Sequence, residues 1–203
     1  MTTGIQSDQT RKVEIDFLYL DLEVCDRCKG TEANLAIALE SVGNVLAASG
    51  VEVLVRKTLV DSESKATELA FVSSPTIRVN GRDIAPELKE SSCASCGEAS
   101  SCGGKIDCRV WVYRGQEYTV PPVGLIVDAT LAAVYSVQER VPKSVPKEDR
   151  AIPENLKRFF ASKGAKQQAC CSAAEQATCC DASQKASCCG PASQSRVGGC
   201  ACQ

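Results

Sequence analysis

The sequence contains no histidine, one methionine and one tryptophan among its 203 residues, and aromatic residues make up only 4% of it. Without histidine the chain has no imidazole to serve as a general base, to activate a nucleophile or to bind zinc. Catalysis by a Ser-His-Asp or Cys-His arrangement is therefore excluded. Any metal site has to be built from sulfur or oxygen ligands.

Long apolar runs and a strong net charge are also absent. No run approaches the roughly 20 residues of a membrane-spanning helix, and the polar stretch before Val13 has no apolar segment of the signal-peptide kind. The net charge of −2 gives no electrostatic reason to expect a nucleic-acid partner. We therefore predict a cytoplasmic protein with reduced thiols, no membrane insertion and no nucleic acid bound.

Cysteine is the abundant exception, with 14 residues in three groups. In a reducing compartment clustered cysteines indicate metal binding or redox chemistry more often than structural disulfides. We therefore treat all of them as candidate metal ligands. The groups are the Cys-x-x-Cys motif (Cys25, Cys28), an internal set (Cys93, Cys96, Cys102, Cys108) and a C-terminal set (Cys170, Cys171, Cys179, Cys180, Cys188, Cys189, Cys200, Cys202).

The apolar periodicity predicts an α/β domain with a mixed sheet, in the order β-α-β-α-β-β-α. A strand–helix–strand crossover makes the first two strands parallel, and Asn80-Gly81 is typical of a type I′ hairpin. Gly50 is expected to end the first helix. The predicted strands are 13–20, 51–60, 76–79 and 82–84, with helices after Cys28, at 61–69 and at 123–135, and a second hairpin about Arg114-Gly115.

The Cys-x-x-Cys motif lies between a strand and a helix, and this context says more than the spacing. The free N–H groups and the dipole at a helix N-terminus stabilise a thiolate, which favours Cys25 as the more acidic thiol. Glu23 and Asp26 oppose this effect while Arg27 and Lys29 support it. The net direction of the pKa shift is left open by the sequence.

A strand, a Cys-x-x-Cys at the start of a long helix, a second strand, a short helix and Ser74-Pro75-Thr76 before a hairpin resemble the thioredoxin and glutaredoxin superfamily. The resemblance covers residues 13–84, and the helix at 123–135 would complete the fold. It implies that Pro75 is cis and packs beside the dithiol, where it shapes a substrate groove. The block 13–135 also resembles a thioredoxin-like family of unknown function, which implies a fold and no established activity.

The insertion at 85–108 allows three interpretations of its four cysteines. They could form a tetrahedral zinc site that holds a loop poor in apolar anchors. They could instead ligate an iron–sulfur cluster, although their spacing matches neither ferredoxin pattern. Some could also be resolving thiols that exchange with Cys25.

Four segments are predicted. They are a flexible leader (1–12), a thioredoxin-like domain (13–138), a linker with one short helix from Pro153 to Gly164 (139–165), and a disordered cysteine-rich tail (166–203). The tail repeats cysteine pairs at a nine-residue period, which no helix or strand would align on one face. Vicinal pairs next to such a domain also resemble the arsenite metallochaperones of bacterial arsenic resistance.

Two functions from different classes follow. The first is capture and transfer of a soft metal or metalloid ion, of the arsenite, mercury, copper or zinc class, with a metal-transporting or redox protein as a further partner. The second is a thiol–disulfide oxidoreductase in which Cys25 attacks and Cys28 resolves. A metalloid reductase would combine the two. The motif interior Asp26-Arg27 and the oxidisable tail favour capture.

Overall fold

The computed structural model of the chain describes residues 11–99, 106–136 and 151–167. The chain divides into two units, residues 1–163 and 164–203, and of the second the structure describes only the end of one helix. The elements are β1 (Arg11–Tyr19), α1 (Asp26–Ala48), β2 (Val51–Leu59), α2 (Glu63–Glu68), β3 (Thr76–Val79), β4 (Arg82–Asp83), β5 (Lys89–Ser92), α3 (Ala94–Ala99), β6 (Asp107–Tyr113), β7 (Gln116–Tyr118), α4 (Val123–Tyr135) and α5 (Glu154–Gln167).

The strands form two sheets, and the larger one is mixed, so the prediction of a mixed α/β domain is confirmed. Its order is β2-β1-β3-β4, and the smaller sheet has the order β5-β6-β7. β1 and β2 are parallel, from Arg11 opposite Val51 to Tyr19 opposite Leu59. β3 runs antiparallel to β1 and to β4. The crossover predicts the parallel β1–β2 pair and the hairpin predicts the antiparallel β3–β4 pair, whereas no pattern in the sequence predicts the β1–β3 pairing.

Both predicted hairpins are present and their turn residues have the backbone that a type I′ turn requires. Asn80 and Gly81 have φ values of 50° and 79°, and Arg114 and Gly115 have 51° and 77°. Two successive positive φ angles match the right-handed twist of the flanking strands. Gly50, at φ 66°, follows the end of α1 as the predicted C-terminal glycine.

β1 is buried on both faces towards its end, and it separates two apolar clusters. Val13, Ile15 and Phe17 belong to the cluster that includes residues of α1 and α4. Leu18 and Leu20 belong to a second cluster, which contains cysteine side chains. Side chains alternate between the two faces of a strand, so β1 packs against both clusters. The segment that leads from β1 to Cys25 therefore starts in the interior of the protein.

Three local features differ from the prediction. β1 begins at Arg11, within the predicted leader, because its register with β2 extends to that residue. The insertion contains β5 and α3, which its polar sequence does not indicate. α5 continues past Gly164 to Gln167, since a glycine only weakens a helix flanked by good helix formers. The tail beyond Gln167 and the linker 137–150 lie outside the described residues.

No helix of the described segments has the length and continuous apolar character that crossing a membrane requires.

Candidate metal centre

Cys25 is held at the start of α1 by a turn that begins at Asp21. The Asp21 carboxylate accepts hydrogen bonds from the backbone N–H groups of Glu23 at 2.7 Å and Val24 at 3.0 Å. Cys25 is the N-cap residue, and its Sγ accepts a hydrogen bond from the N–H of Cys28 at 3.4 Å. The sulfur therefore takes the position that a Ser or Asp oxygen usually has at a helix start.

The insertion brings three more cysteines to the same place. Cys93 follows β5, and its N–H donates to the carbonyl of Ile106 at 2.9 Å. Cys96 lies one turn further on, in α3, and Cys108 is the second residue of β6. Ser95 ties the insertion to α1, because its Oγ accepts from the Asp26 N–H at 3.2 Å and lies 3.4 Å from the Cys93 Sγ.

The sulfur atoms of Cys25, Cys93, Cys96 and Cys108 all lie within 4.8 Å of one another. The Sγ atoms of Cys108 and Cys96 are 3.5 Å apart. Ligand sulfurs bound tetrahedrally to one zinc ion at about 2.3 Å are about 3.8 Å apart. Small shifts that close the wider gaps and open the narrowest would therefore make this group of sulfurs, here called the four-cysteine site, a tetrahedral coordination shell.

Cys28 is buried with the other thiols but has different surroundings. Its Sγ lies 3.4 Å from the Oγ of Ser74, which also accepts a hydrogen bond from the Leu20 N–H at 3.2 Å. The peptide bond between Ser74 and Pro75 is cis, as expected. The two cysteines of the motif therefore have different surroundings, since Cys25 lies among the sulfurs of the insertion and Cys28 lies between Cys25 and a hydroxyl.

Arg27 connects the motif to both strands of the insertion. Its guanidinium donates to the carbonyl oxygens of Cys108 at 3.0 Å and Arg109 at 3.3 Å. It also donates to the Oγ of Ser91 at 3.0 Å and to the carbonyl of Ser92 at 2.7 Å. These bonds fix the end of β5, directly before Cys93, and the start of β6 against the helix that carries Cys25.

The thiols change one another's pKa values. The pKa of Cys25 is lowered, first by a hydrogen bond from the Cys108 thiol and then by Cys28, Cys93 and Cys96, while burial opposes the shift. The pKa of Cys93 falls to about 6, foremost through Cys108.

The remaining three thiols shift the other way. The pKa of Cys28 and that of Cys108 are raised, in each case first by the hydrogen bond to Cys25 and further by burial. For Cys96 the bond with Cys108 lowers the pKa, but Cys25, Cys93 and burial outweigh it, so the pKa is raised. The pocket thus favours thiolate at some sulfurs and thiol at others. A bound cation would allow all four sulfurs of the four-cysteine site to ionise.

The structure groups the predicted ligands differently from the sequence. Two of the three interpretations keep the insertion cysteines together with Cys102, which lies outside the described residues, and in the third some of them exchange with Cys25. Three of the insertion cysteines meet Cys25 of the motif. The pairwise positions 93/96 and 25/28 were visible as spacing, but no pattern in the sequence indicated that Cys25 joins the insertion and Cys28 does not. The eight tail cysteines also lie outside the described residues.

A family model described as a domain of unknown function (DUF2703) matches residues 13–130. This range runs from within β1 to within α4 and contains all four sulfurs of the site. No curated protein and no solved structure matches the chain.

Proposed function

The chain belongs to the DUF2703 family, a domain of unknown function, and from its cysteine geometry we propose that it binds a soft metal ion at the four-cysteine site. The observation that carries the proposal is the approach of four buried sulfurs from three separate segments to within 4.8 Å. Apolar packing alone gives no reason to collect sulfurs in this way. Thiolate ligands select thiophilic cations.

The spacing favours one metal ion over an iron–sulfur cluster. In a 4Fe–4S cluster each cysteine binds a different iron, and in a 2Fe–2S cluster two pairs bind two irons, so in both some ligand sulfurs lie further apart than four ligands that share one ion. Four sulfurs around one ion favour the tetrahedral zinc class, which includes other divalent thiophilic ions. Four thiolates and one divalent ion carry a net charge of −2. The positively charged guanidinium of Arg27 lies near this charge, because it donates a hydrogen bond to the backbone carbonyl of Cys108.

The proposed fold is thioredoxin-like. The sheet order β2-β1-β3-β4, with β1 and β2 parallel and β3 antiparallel, supports it. So does the position of the motif at the N-terminus of α1, with Ser74, which precedes the cis Pro75, next to Cys28. A reducing cytoplasm would keep the thiols available for metal. The tail cysteines would raise the local thiol concentration, and ions would pass between them, the site and a metal-transporting or redox protein.

The test uses full-length protein in which the eight tail cysteines are replaced by serine, reduced and handled without oxygen. Titration with Co²⁺, followed by displacement with Zn²⁺, should give one ion per chain and the intense visible absorption of tetrahedral cobalt. Cys25→Ser should weaken binding by roughly 100-fold, since it removes a ligand. The matched control is Cys102→Ser, which should leave affinity unchanged.

Two results would overturn the proposal. One is the absence of binding by the reduced protein. The other is the reverse order of effects, in which Cys102→Ser abolishes binding and Cys25→Ser does not. That second result would place the fourth ligand within the insertion and leave Cys25 free.

A second candidate function is thiol–disulfide exchange, and the surroundings of Cys25 and Cys28 favour it specifically. Cys25 has the lowered pKa of an attacking thiol and Cys28 the raised pKa of a thiol that stays protonated until it resolves. Pro75 would then line the substrate groove. Both side chains are 0% exposed, however, so a protein disulfide reaches them only after a rearrangement. Turnover of a disulfide substrate that is unchanged in Cys25→Ser would eliminate this function.

A further inference from the structure

The four-cysteine site is closed to solvent, and this raises the question of how an ion enters. The exposed fractions are 0% for Cys25 and Cys108, 1% for Cys96 and 4% for Cys93. Thiol reagents and metal ions react with sulfurs they can reach. Some part of the structure therefore has to move before metal is bound or released.

α5 belongs to the apolar cluster that contains the site. Leu156 and Phe159, which are 1% and 5% exposed, share this cluster with all five described cysteines. Ile152 and Phe160 pack against the same cluster. Lys157 and Arg158 are exposed, so the helix has one face towards the cluster and one towards water.

Polar contacts attach the two ends of α5 to two of the three segments that carry ligands. Near its start, the Asn155 side chain donates to the Glu90 carboxylate at 2.5 Å, and Glu90 lies in β5 ahead of Cys93. Near its end, the Lys163 Nζ lies 3.7 Å from the carboxylate of Asp21, the residue that shapes the turn before Cys25. Both attachments are made by side chains.

In the sequence, α5 lies outside the range that the family model matches. It begins at Glu154, after the matched range of 13–130 ends, and the cysteine-pair tail follows it closely in the sequence. An isolated helix of this length is marginal in water, so its stability depends on the packing of its apolar face. Such an element can open at a lower free energy than the strands of the core.

We propose that α5 is a releasable cover of the four-cysteine site and that its opening admits and discharges the metal ion. The inference rests on the proposed function for the identity of the cargo, whereas the cover itself rests on the packing of α5. Release of α5 exposes the cysteine cluster while β1, α1 and the insertion keep the sulfurs together. The cover thus sets the rate of metal exchange, and the sulfurs set the affinity.

The experiment measures thiol accessibility in full-length, reduced, metal-free protein. Iodoacetamide is added, and peptide mass spectrometry follows alkylation at Cys25, Cys93, Cys96 and Cys108 separately. Replacing Leu156 and Phe159 together by alanine should raise the rate at these four sites by roughly tenfold or more, because it removes the packing that keeps α5 closed. Unchanged rates would overturn the proposal.

Two controls separate release of α5 from general destabilisation. Lys157→Ala with Arg158→Ala alters the exposed face of the same helix and should leave the rates unchanged. Val42→Ala creates a cavity in the other apolar cluster, where Val42 is 5% exposed. If Val42→Ala exposes the four cysteines as much as the α5 variant at equal loss of stability, the site opens by global unfolding and the cover is rejected.

A second measurement needs no variant. In hydrogen exchange of the wild-type chain, amides in residues 157–163 should exchange through an opening of lower free energy than amides of β1. Equal opening energies would contradict the proposal. Because both measurements use metal-free protein, they test the cover even where the cobalt titration fails. If the site binds cobalt but the alkylation rates do not change in the α5 variant, the cover is rejected and the metal site is not.

Discussion

At the scale of single residues, the two cysteines of the motif are three positions apart and yet have different chemistry. Cys25 caps α1 and faces the three sulfurs of the insertion, while Cys28 faces the hydroxyl of Ser74. The helix N-terminus was the expected cause of an acidic Cys25. The foremost cause is instead the thiol of Cys108, which only the folded insertion supplies.

This difference predicts that Cys28→Ser leaves metal affinity within about threefold of the parent, because it keeps all four ligand sulfurs and the small polar side chain beside Ser74. Cobalt titration of the variant without tail cysteines measures it. Loss of binding comparable to that of Cys25→Ser would show that Cys28 is a ligand and that the four sulfurs are wrongly assigned.

Arg27 should matter for metal affinity although its hydrogen bonds go to oxygen atoms. Its planar guanidinium reaches four acceptors on two strands, which the single ammonium of lysine cannot do. Arg27→Lys should therefore lower metal affinity by about 10-fold, in the range seen for groups that position metal ligands.

The control for this prediction is Arg56→Lys, at an exposed arginine paired with Glu14 and Asp16 on the larger sheet. Urea unfolding of both metal-free variants separates stability from positioning. A fall in stability of Arg27→Lys with unchanged metal affinity and an unchanged cobalt spectrum would make Arg27 a purely structural residue.

At the scale of elements, α1 offers a matched pair of glycines. A Cβ at Gly30 would lie 2.8 Å from the Cγ2 of Val120, a stiff side chain, whereas a Cβ at Gly43 would meet nothing within 4 Å. Helix propensity favours alanine over glycine by about 1 kcal/mol at both positions. At Gly30 this gain is opposed by an overpacking cost of about 1–3 kcal/mol.

We therefore expect Gly43→Ala to stabilise the protein by about 1 kcal/mol and Gly30→Ala to destabilise it by about 1 kcal/mol. The free energy of unfolding in urea gives both values. Equal stabilisation by the two substitutions would mean that α1 does not pack tightly against Val120 at Gly30, two residues after Cys28.

Elements with a clear apolar period could be predicted from the sequence, and elements that depend on a partner could not. β1, α1 and the Asn80-Gly81 turn follow from local rules. β5 has the sequence Lys-Glu-Ser-Ser, which has no apolar alternation, and it forms a strand because it pairs with β6. The site has the same limit, because Cys25 meets Cys93 and Cys108 only after the insertion folds back on α1.

At the scale of the whole molecule, a bound ion would join segments that are far apart in the chain. The four ligands come from the start of α1 and from both ends of the insertion. A ligand that binds only the folded state stabilises it by about 4 kcal/mol at a concentration 1,000 times its Kd. For a chain of this size that corresponds to a Tm increase of about 10 °C.

We expect zinc to raise the Tm of the reduced protein without tail cysteines by this amount and a chelator to reverse the change. Differential scanning calorimetry measures both. The Cys25→Ser variant is the control, since it should show little response to zinc. An equal Tm increase in that variant would place the stabilising ion elsewhere in the chain.

The most direct test of the central claim is X-ray absorption spectroscopy at the zinc edge, on reduced full-length protein in which the eight tail cysteines are serine. We expect four sulfur neighbours at about 2.3 Å in a tetrahedral arrangement. Cys25→Ser should lose one of these sulfurs and Cys28→Ser none. Fewer than four sulfurs in the parent, or four in Cys25→Ser, would contradict the assignment of Cys25, Cys93, Cys96 and Cys108 as the metal site.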